Sequence, residues 1–342
     1  MLLLCATASR AQQPIPFRID GFSDKYYGIV SVADTANVFM SGTVAVYDKL
    51  KNKELFHTTS EELTLELHDG NVKANILEAP YGEQSVLIYK DFNFDGQKDF
   101  ALMDGQNSCY HGPSYQVYLA TAAGFRRSAA FTRLAQEYCG MFQVDEKRKR
   151  LNTMTKSGCC WHQFSEFEVV QDKPKPVKIT ESSMSNTEPY FEEVSEQKWV
   201  AGKQETSMSL YLGGDKIDTV LSFTLTKNGK QVLIFHVGEE NLFYALLKKD
   251  QSVEFYYPEV TWSEQQQSNI AGKVRYNAES STLQFSNEDA KYELYDRREG
   301  ISRKLGIKVD IDGQTYVFEG EPSTAVGSLS ALKTLDKKNL EK

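Results

Sequence analysis

The sequence predicts an all-β protein, and three observations carry that expectation. Aromatic residues make up 12% of the 342-residue chain, with 18 Tyr and 19 Phe, a content that suits strands better than helices. Apolar and alternating apolar-polar runs of strand length recur from Ile15 to Phe318. Turn residues separate those runs at close intervals, among them an Asn228-Gly229 pair and an Asp312-Gly313 pair of the kind that closes hairpins. With 40% hydrophobic residues the chain can bury substantial cores, and its length suits two domains of ordinary size or one large all-β domain.

Taken in order, residues 15–170 read as a series of strands without helical periodicity. Residues 38–48 read as a strand pair, and 63–67 alternate apolar with polar. A strand at 85–90 leads into the segment 91–99, and another at 100–103 leads out of it. Residues 115–119 and 124–126 form a hairpin, and 164–170 form a further strand before a turn at Pro174 and Pro176. The basic run Lys147-Arg148-Lys149-Arg150 reads as a solvated hairpin tip. Residues 181–198 are polar enough for a loop or linker, and the domain boundary is placed at Gly213-Gly214, dividing 12–212 from 213–342. Beyond it, strands at 219–227, 231–237, 242–247, 253–257, 274–276, 283–285, 292–295, 307–311 and 316–318 suggest a smaller sandwich or barrel. Leu329, Leu332 and Leu335 recur at helical spacing and predict a short C-terminal helix.

The stretch that organises the chain is Asp91-Phe92-Asn93-Phe94-Asp95-Gly96-Gln97-Lys98-Asp99, which reads as a calcium loop. Oxygen-bearing side chains at loop positions 1, 3, 5 and 9, with glycine at 6, are what a hard cation needs when one turn must wrap it. Asp91, Asn93, Asp95 and Asp99 supply side-chain oxygens, Gln97 supplies a backbone carbonyl, and Gly96 takes the left-handed bend. Three carboxylates this close would repel one another without a cation, which weighs against a metal-free acidic turn. Position 12 is Leu102 rather than a bidentate Glu, so the loop leads into a strand and not a helix. Asp310-Ile311-Asp312-Gly313 lacks the later carboxylate and reads as an Asp-Gly hairpin.

The balance of 47 acidic against 39 basic residues, a net charge of −8, argues against nucleic acid as a partner. No stretch approaches the ~20 apolar residues of a membrane-spanning helix. Residues 1–11 resemble the tail of a secretory signal, giving a mature chain from about Gln12 and a periplasmic or secreted location; lipid attachment at Cys5 is the alternative. In an oxidising compartment Cys109, Cys139, Cys159 and Cys160 suggest a local disulfide framework. Bridges from Cys109 and Cys139 to the adjacent pair are expected, because neighbouring cysteines close a strained ring. A zinc site from Cys159, Cys160 and His162 is the weaker alternative, its spacing being poor for zinc.

Residues 86–170 resemble a family of exported bacterial proteins through the Asp91–Gly96 sequence with Lys98-Asp99-Phe100, then Gly105, Tyr115-Gln116-Val117-Tyr118 and the Ser157-Gly158 turn. The resemblance covers about a quarter of the chain. Members carry one FG-GAP-like calcium loop within a β-propeller-like fold. They act as lysozyme-inhibitor-like immunity proteins against peptidoglycan hydrolases delivered by contact-dependent secretion systems. The resemblance therefore implies a propeller-like first domain. Ser157-Gly158-Cys159-Cys160-Trp161 is similar to the Ser-Gly-x-x-Tyr loop that bacterial lysozyme inhibitors insert into the catalytic cleft, with Trp161 in place of the tyrosine. Ser157, Gly158 and Trp161 are thus the expected partner contacts; a plain turn is the competing account. His111 and His162, near the cysteines, are expected to shape the same surface or to make structural hydrogen bonds. No nucleophile elbow, phosphate loop or His-Glu-x-x-His is present, so a non-enzymatic, calcium-binding inhibitor is expected. The alternative is a calcium-rigidified adhesive or structural module.

Overall fold

Strands joined by short turns pair with their sequence neighbours, and that rule generates most of this architecture. A computed structural model describes residues 13–78, 82–185, 190–213, 217–238, 241–262 and 268–342. The expected leader and Cys5 lie outside the described residues. The chain divides into two compact units, Met1–Glu181 with Glu196–Thr206, and Ser182–Ser195 with Ser207–Lys342.

In the first unit β1 (Ile15–Ile19), β2 (Tyr26–Val32), β3 (Met40–Asp48) and β4 (Lys53–Leu63) form a four-stranded antiparallel meander. A second meander follows from β5 (Leu87–Lys90), β6 (Asp99–Ser108), β7 (Gly112–Thr121) and β8 (Gly124–Arg127). Helix α1 (Ala129–Glu137) then precedes β9 (Gln143–Asp145), β10 (Arg150–Ser157), β11 (Trp161–Val169), β12 (Pro174–Met184), β13 (Phe191–Val200) and β14 (Lys203–Leu212), which order consecutively in a six-stranded sheet. The chain passes between the units within β12, β13 and β14. Four-stranded meanders are the building block of propeller blades, and the first unit is all-β and propeller-like in this sense. Its core gathers Val30, Val44, Leu87, Phe92, Phe100, Leu102, Tyr115, Phe131 and Phe142.

The second unit begins with β15 (Ile217–Thr224), β16 (Gln231–Val237), β17 (Asn241–Leu247) and β18 (Val253–Tyr257), followed by the hairpin β19 (Glu259–Trp262) and β20 (Ser268–Ala271). A further meander runs through β21 (Val274–Asn277), β22 (Thr282–Asn287), β23 (Ala290–Glu299), β24 (Ser302–Ile311) and β25 (Gln314–Glu319). Two short strands complete the sheets: β26 (Val326–Gly327) beside β15, and β27 (Leu340–Glu341) parallel to β21. The larger sheets share one core, where the Tyr244 ring meets Phe285 at 5.2 Å and Tyr292 at 6.4 Å, as in a sandwich.

Several elements differ from the sequence expectation. Residues 40–48 are one strand, not two, because Gly42 is a close-approach glycine rather than a turn; a Cβ there would run into the Ser31 carbonyl oxygen of β2. Residues 64–67 lie beyond β4. Helix α1 interrupts the supposedly all-strand region, burying Phe131, Leu134 and Ala135. The segment 181–198, read as loop or linker, is largely the strands β12 and β13, and the Pro-bearing turn is displaced because Pro174 and Pro176 lie inside β12. The expected C-terminal helix is a 3-10 turn, Leu329–Lys333, which buries Leu329 and Leu332; an i,i+3 leucine pair fits the three-residue period of that helix.

Asp296 pins this C-terminal segment. Its side chain, 3% exposed, takes a bidentate pair from Arg303 (2.7 and 2.9 Å) and accepts from the Ser328 hydroxyl (2.8 Å) and the Leu329 amide (3.0 Å). Burial opposes ionisation of Asp296, but the Arg303, Ser328 and Leu329 bonds outweigh it and hold its pKa below the usual carboxylate value. We expect Asp296→Asn to destabilise the second unit by about 3 kcal/mol in denaturant unfolding, because Arg303 is left half-paired in a shielded site. A group whose folded pKa is depressed stabilises fully above its unfolded value of about 3.9, so the gap between wild type and variant should close as pH falls below about 4.

Candidate functional site

The 91–99 loop closes the β5–β6 hairpin, whose last rung pairs Lys90 with Asp99. Odd and even positions part company within it. Phe92 is fully buried, its ring 5.3 Å from that of Phe142, and Phe94 packs on the same core. Asp91, Asn93 and Asp95 turn their oxygens onto the loop's own amides. Asp91 accepts from the amides of Asp95 (3.2 Å) and Gly96 (2.8 Å), Asn93 from Asp95 (3.3 Å), and Asp95 from Gln97 (2.7 Å). Positive φ at Phe94 (62°) and Gly96 (88°) folds the chain back so that these groups converge. Asn93 also donates to Asp172 at 2.9 Å.

Asp99 behaves differently from the other predicted ligands. It is fully buried, and its two oxygens accept from the amides of Phe92 (2.7 Å) and Ala120 (2.8 Å), tying the loop to β7. Burial raises its pKa to about 7, with the charges of Asp91 and Asp95 pushing the same way and the two amides opposing. Among the described residues no basic side chain pairs with Asp91, Asp95 or Asp99 within 4.0 Å, and Lys98 lies over the Tyr89 ring at 5.5 Å instead. Gln97 is exposed. The donor set is all oxygen, and its carboxylates lack a direct ion-pair partner among the described residues, a combination that fits a hard divalent cation.

The cysteines pair otherwise than expected. Cys109 bonds Cys139 and Cys159 bonds Cys160, so the crossed bridges do not form and the alternative zinc site loses its thiolates. The reason is strand register. Ser157 and Trp161 form the last rung of β10–β11, leaving Cys159 and Cys160 within the three-residue turn. The Cys139 amide binds the Met154 carbonyl (2.8 Å), holding Cys139 back from the turn and level with Cys109.

The tip carries Ser157 and Gly158 exposed and Trp161 half-buried. The Gly158 amide donates to the Tyr110 hydroxyl at 2.6 Å, and Lys156 lies 4.9 Å over the Tyr110 ring. The vicinal bridge thus braces the tip from within and Tyr110 braces it from outside. His162 pairs with Lys156 along the hairpin, whereas His111 faces Glu62 (3.4 Å) and the Phe39 ring (5.1 Å). His111 also borders a groove of about 680 Å³ with exposed Val38, Phe39 and Leu67. Sequence reasoning missed both Tyr110 and this groove. Tyr110 carries no motif, and the groove draws single residues from separate segments.

No protein-family model and no curated protein matches this sequence. Among solved structures the chain is similar to a Xanthomonas protein described as related to a type IV secretion system, at 20% identity and a TM-score of 0.45, covering 59% of this chain and 97% of that one. It is also similar to the β-propeller domain of the Trilobed protease from Pyrococcus furiosus, at 10% identity and a TM-score of 0.23 over 89% of this chain and 97% of that one. The tricorn protease aligns at 8% identity and a TM-score of 0.16, over 86% of this chain and 39% of that one.

Proposed function

We propose that the protein is an exported calcium-binding protein that acts in the periplasm as an inhibitor or immunity protein of a lysozyme-like peptidoglycan hydrolase. The observation that carries this reading is the hairpin tip. Ser157 and Gly158 are exposed on a turn fixed by the Cys159–Cys160 bridge and the Gly158–Tyr110 bond. A tip with so little freedom loses little entropy when it enters a cleft. The net charge of −8 suits a basic target, since opposite charge raises the association rate. Calcium in the 91–99 loop neutralises the Asp cluster and adds its binding free energy to folding. The reading assigns the loop's carboxylates to ligation and gives the protein no catalytic step. The groove beside His111 favours a second reading, an adhesive or structural binding module that calcium only rigidifies.

At calcium a hundredfold above its Kd, wild type should gain about 2.7 kcal/mol of stability, lost on chelation. Asp95→Ala should melt lower in calcium and show no chelator dependence; a calcium-dependent melting curve in that variant would refute the ligand assignment. Gly96→Ala should cost roughly 1–2 kcal/mol through backbone strain alone, because a Cβ there meets nothing within 4 Å. In assays of peptidoglycan hydrolysis with several lysozyme types and calcium present, the mature chain should inhibit stoichiometrically and Ser157→Arg should not. Failure to inhibit any hydrolase would favour the binding-module reading.

A further inference from the structure

We propose that Glu66, His68 and Glu83 form a second metal site, for a first-row divalent cation of the zinc type, chemically distinct from the 91–99 loop. One ligand atom from each residue lies within 4.8 Å of the other two, and His68 Nε2 is 2.8 Å from Glu83 Oε1. Zinc held at 2.0–2.1 Å by tetrahedral ligands keeps its donors about 3.3 Å apart. The 2.8 Å His68–Glu83 spacing and the 4.8 Å limit on the others place the three donors within about 1.5 Å of that separation.

The backbone presents these groups from two pinned arms. His68 and Asn71 exchange both backbone hydrogen bonds (2.8 and 3.0 Å) across Asp69-Gly70, whose φ values are 52° and 78°. This is a two-residue turn with little freedom at His68. Glu83 is held through its carbonyl, which accepts from the Glu78 amide at 2.9 Å, and through its neighbour Gln84, whose side chain accepts from the Met141 amide at 3.0 Å. The His68 and Glu83 side chains are 29% and 18% exposed, shielded enough to strengthen their interaction with an ion yet reachable from solvent.

The donor set decides the class of ion. An imidazole nitrogen with two carboxylate oxygens suits zinc, cobalt, nickel or manganese, whereas calcium takes oxygen alone. Three protein ligands leave a fourth position for water or for a donor from a partner, the arrangement of an open zinc site. The other histidine-carboxylate pairs, His57 with Glu54, His111 with Glu62 and His236 with Asp218, each bring one carboxylate. Only at His68 does a second converge, among the described residues. No lysine or arginine pairs with Glu66 or Glu83 among those residues, so the two carboxylates face one imidazole without a fixed cation. Glu66 and Glu83 also line the groove beside Phe39 and Leu67, which places a bound ion at its wall.

The test is calorimetric titration of the chelator-stripped full chain with zinc in saturating calcium, which fills the 91–99 loop first. Wild type should take up one zinc equivalent, and substitution by cobalt should give a visible ligand-field spectrum. Hydrogen-bond partners that merely support a ligand are already worth about ten- to a hundredfold in affinity, so His68→Ala and Glu66→Gln should each weaken zinc by about a hundredfold or more. Glu66 is exposed, so its Gln variant keeps the fold. His57→Ala should leave the zinc isotherm unchanged. Absence of saturable zinc binding in wild type, or affinity unaltered in Glu66→Gln and His68→Ala, overturns the proposal.

Discussion

The buried carboxylate of Asp99 is the constraint on which the first unit depends. It sits at the first position of β6, with one oxygen on the Phe92 amide at the start of the loop and the other on the Ala120 amide of β7. Three consecutive pieces of chain are thereby locked in register, and Phe92 is held in the core against Phe142. A carboxylate without water around it is costly, and two amides offset only part of that cost while Asp91 and Asp95 add repulsion. Under the proposed calcium binding, a cation in the loop would offset that repulsion and couple ion binding to folding.

Rigidity at the hairpin tip has a different origin. Cys109–Cys139 joins the β6–β7 connection to the segment after α1, closing 30 residues, while Cys159–Cys160 closes only its own peptide unit. The longer loop constrains the unfolded chain more and carries the larger stabilisation. The vicinal bridge instead shapes the turn, and Tyr110, next to Cys109, connects the two devices through its bond to Gly158. Stability and presentation of the tip are thus divided between two disulfides.

The second unit solves a related problem with protein groups alone. Asp296 is almost fully shielded, but Arg303 supplies the compensating charge and Ser328 and Leu329 satisfy the remaining lone pairs. The contrast with Asp99 is instructive. Where a guanidinium lies opposite, the carboxyl pKa falls despite burial; at Asp99 burial raises it, and the two amides do not outweigh that effect. The direction of the shift therefore separates an acid with a guanidinium partner from one whose partners are amides alone.

How much of this was legible in the sequence depends on whether the signal was local. The all-β class, the calcium-loop pattern from Asp91 to Asp99 and the hairpins at Asn228-Gly229 and Asp312-Gly313 are set by neighbouring residues and can be read directly. Helix α1 was legible in principle, since Phe131, Leu134 and Ala135 stand at helical spacing, but nine residues are a weak signal among strands. Gly42 was misread because a glycine needed for close approach and one needed for a turn are identical in sequence. The disulfide pairing followed strand register, which placed Cys139 opposite Cys109 and Cys159 beside Cys160 inside a turn. Likewise Tyr110 under Gly158, and Glu83 beside His68, are meetings between segments 48 and 15 residues apart. By itself the sequence determined the strands, their turns and the oxygen-rich loop, because short-range sterics and alternation fix them. Tertiary structure alone decided which side chains met across the sheets, because those distances arise from packing and no residue specifies them by itself.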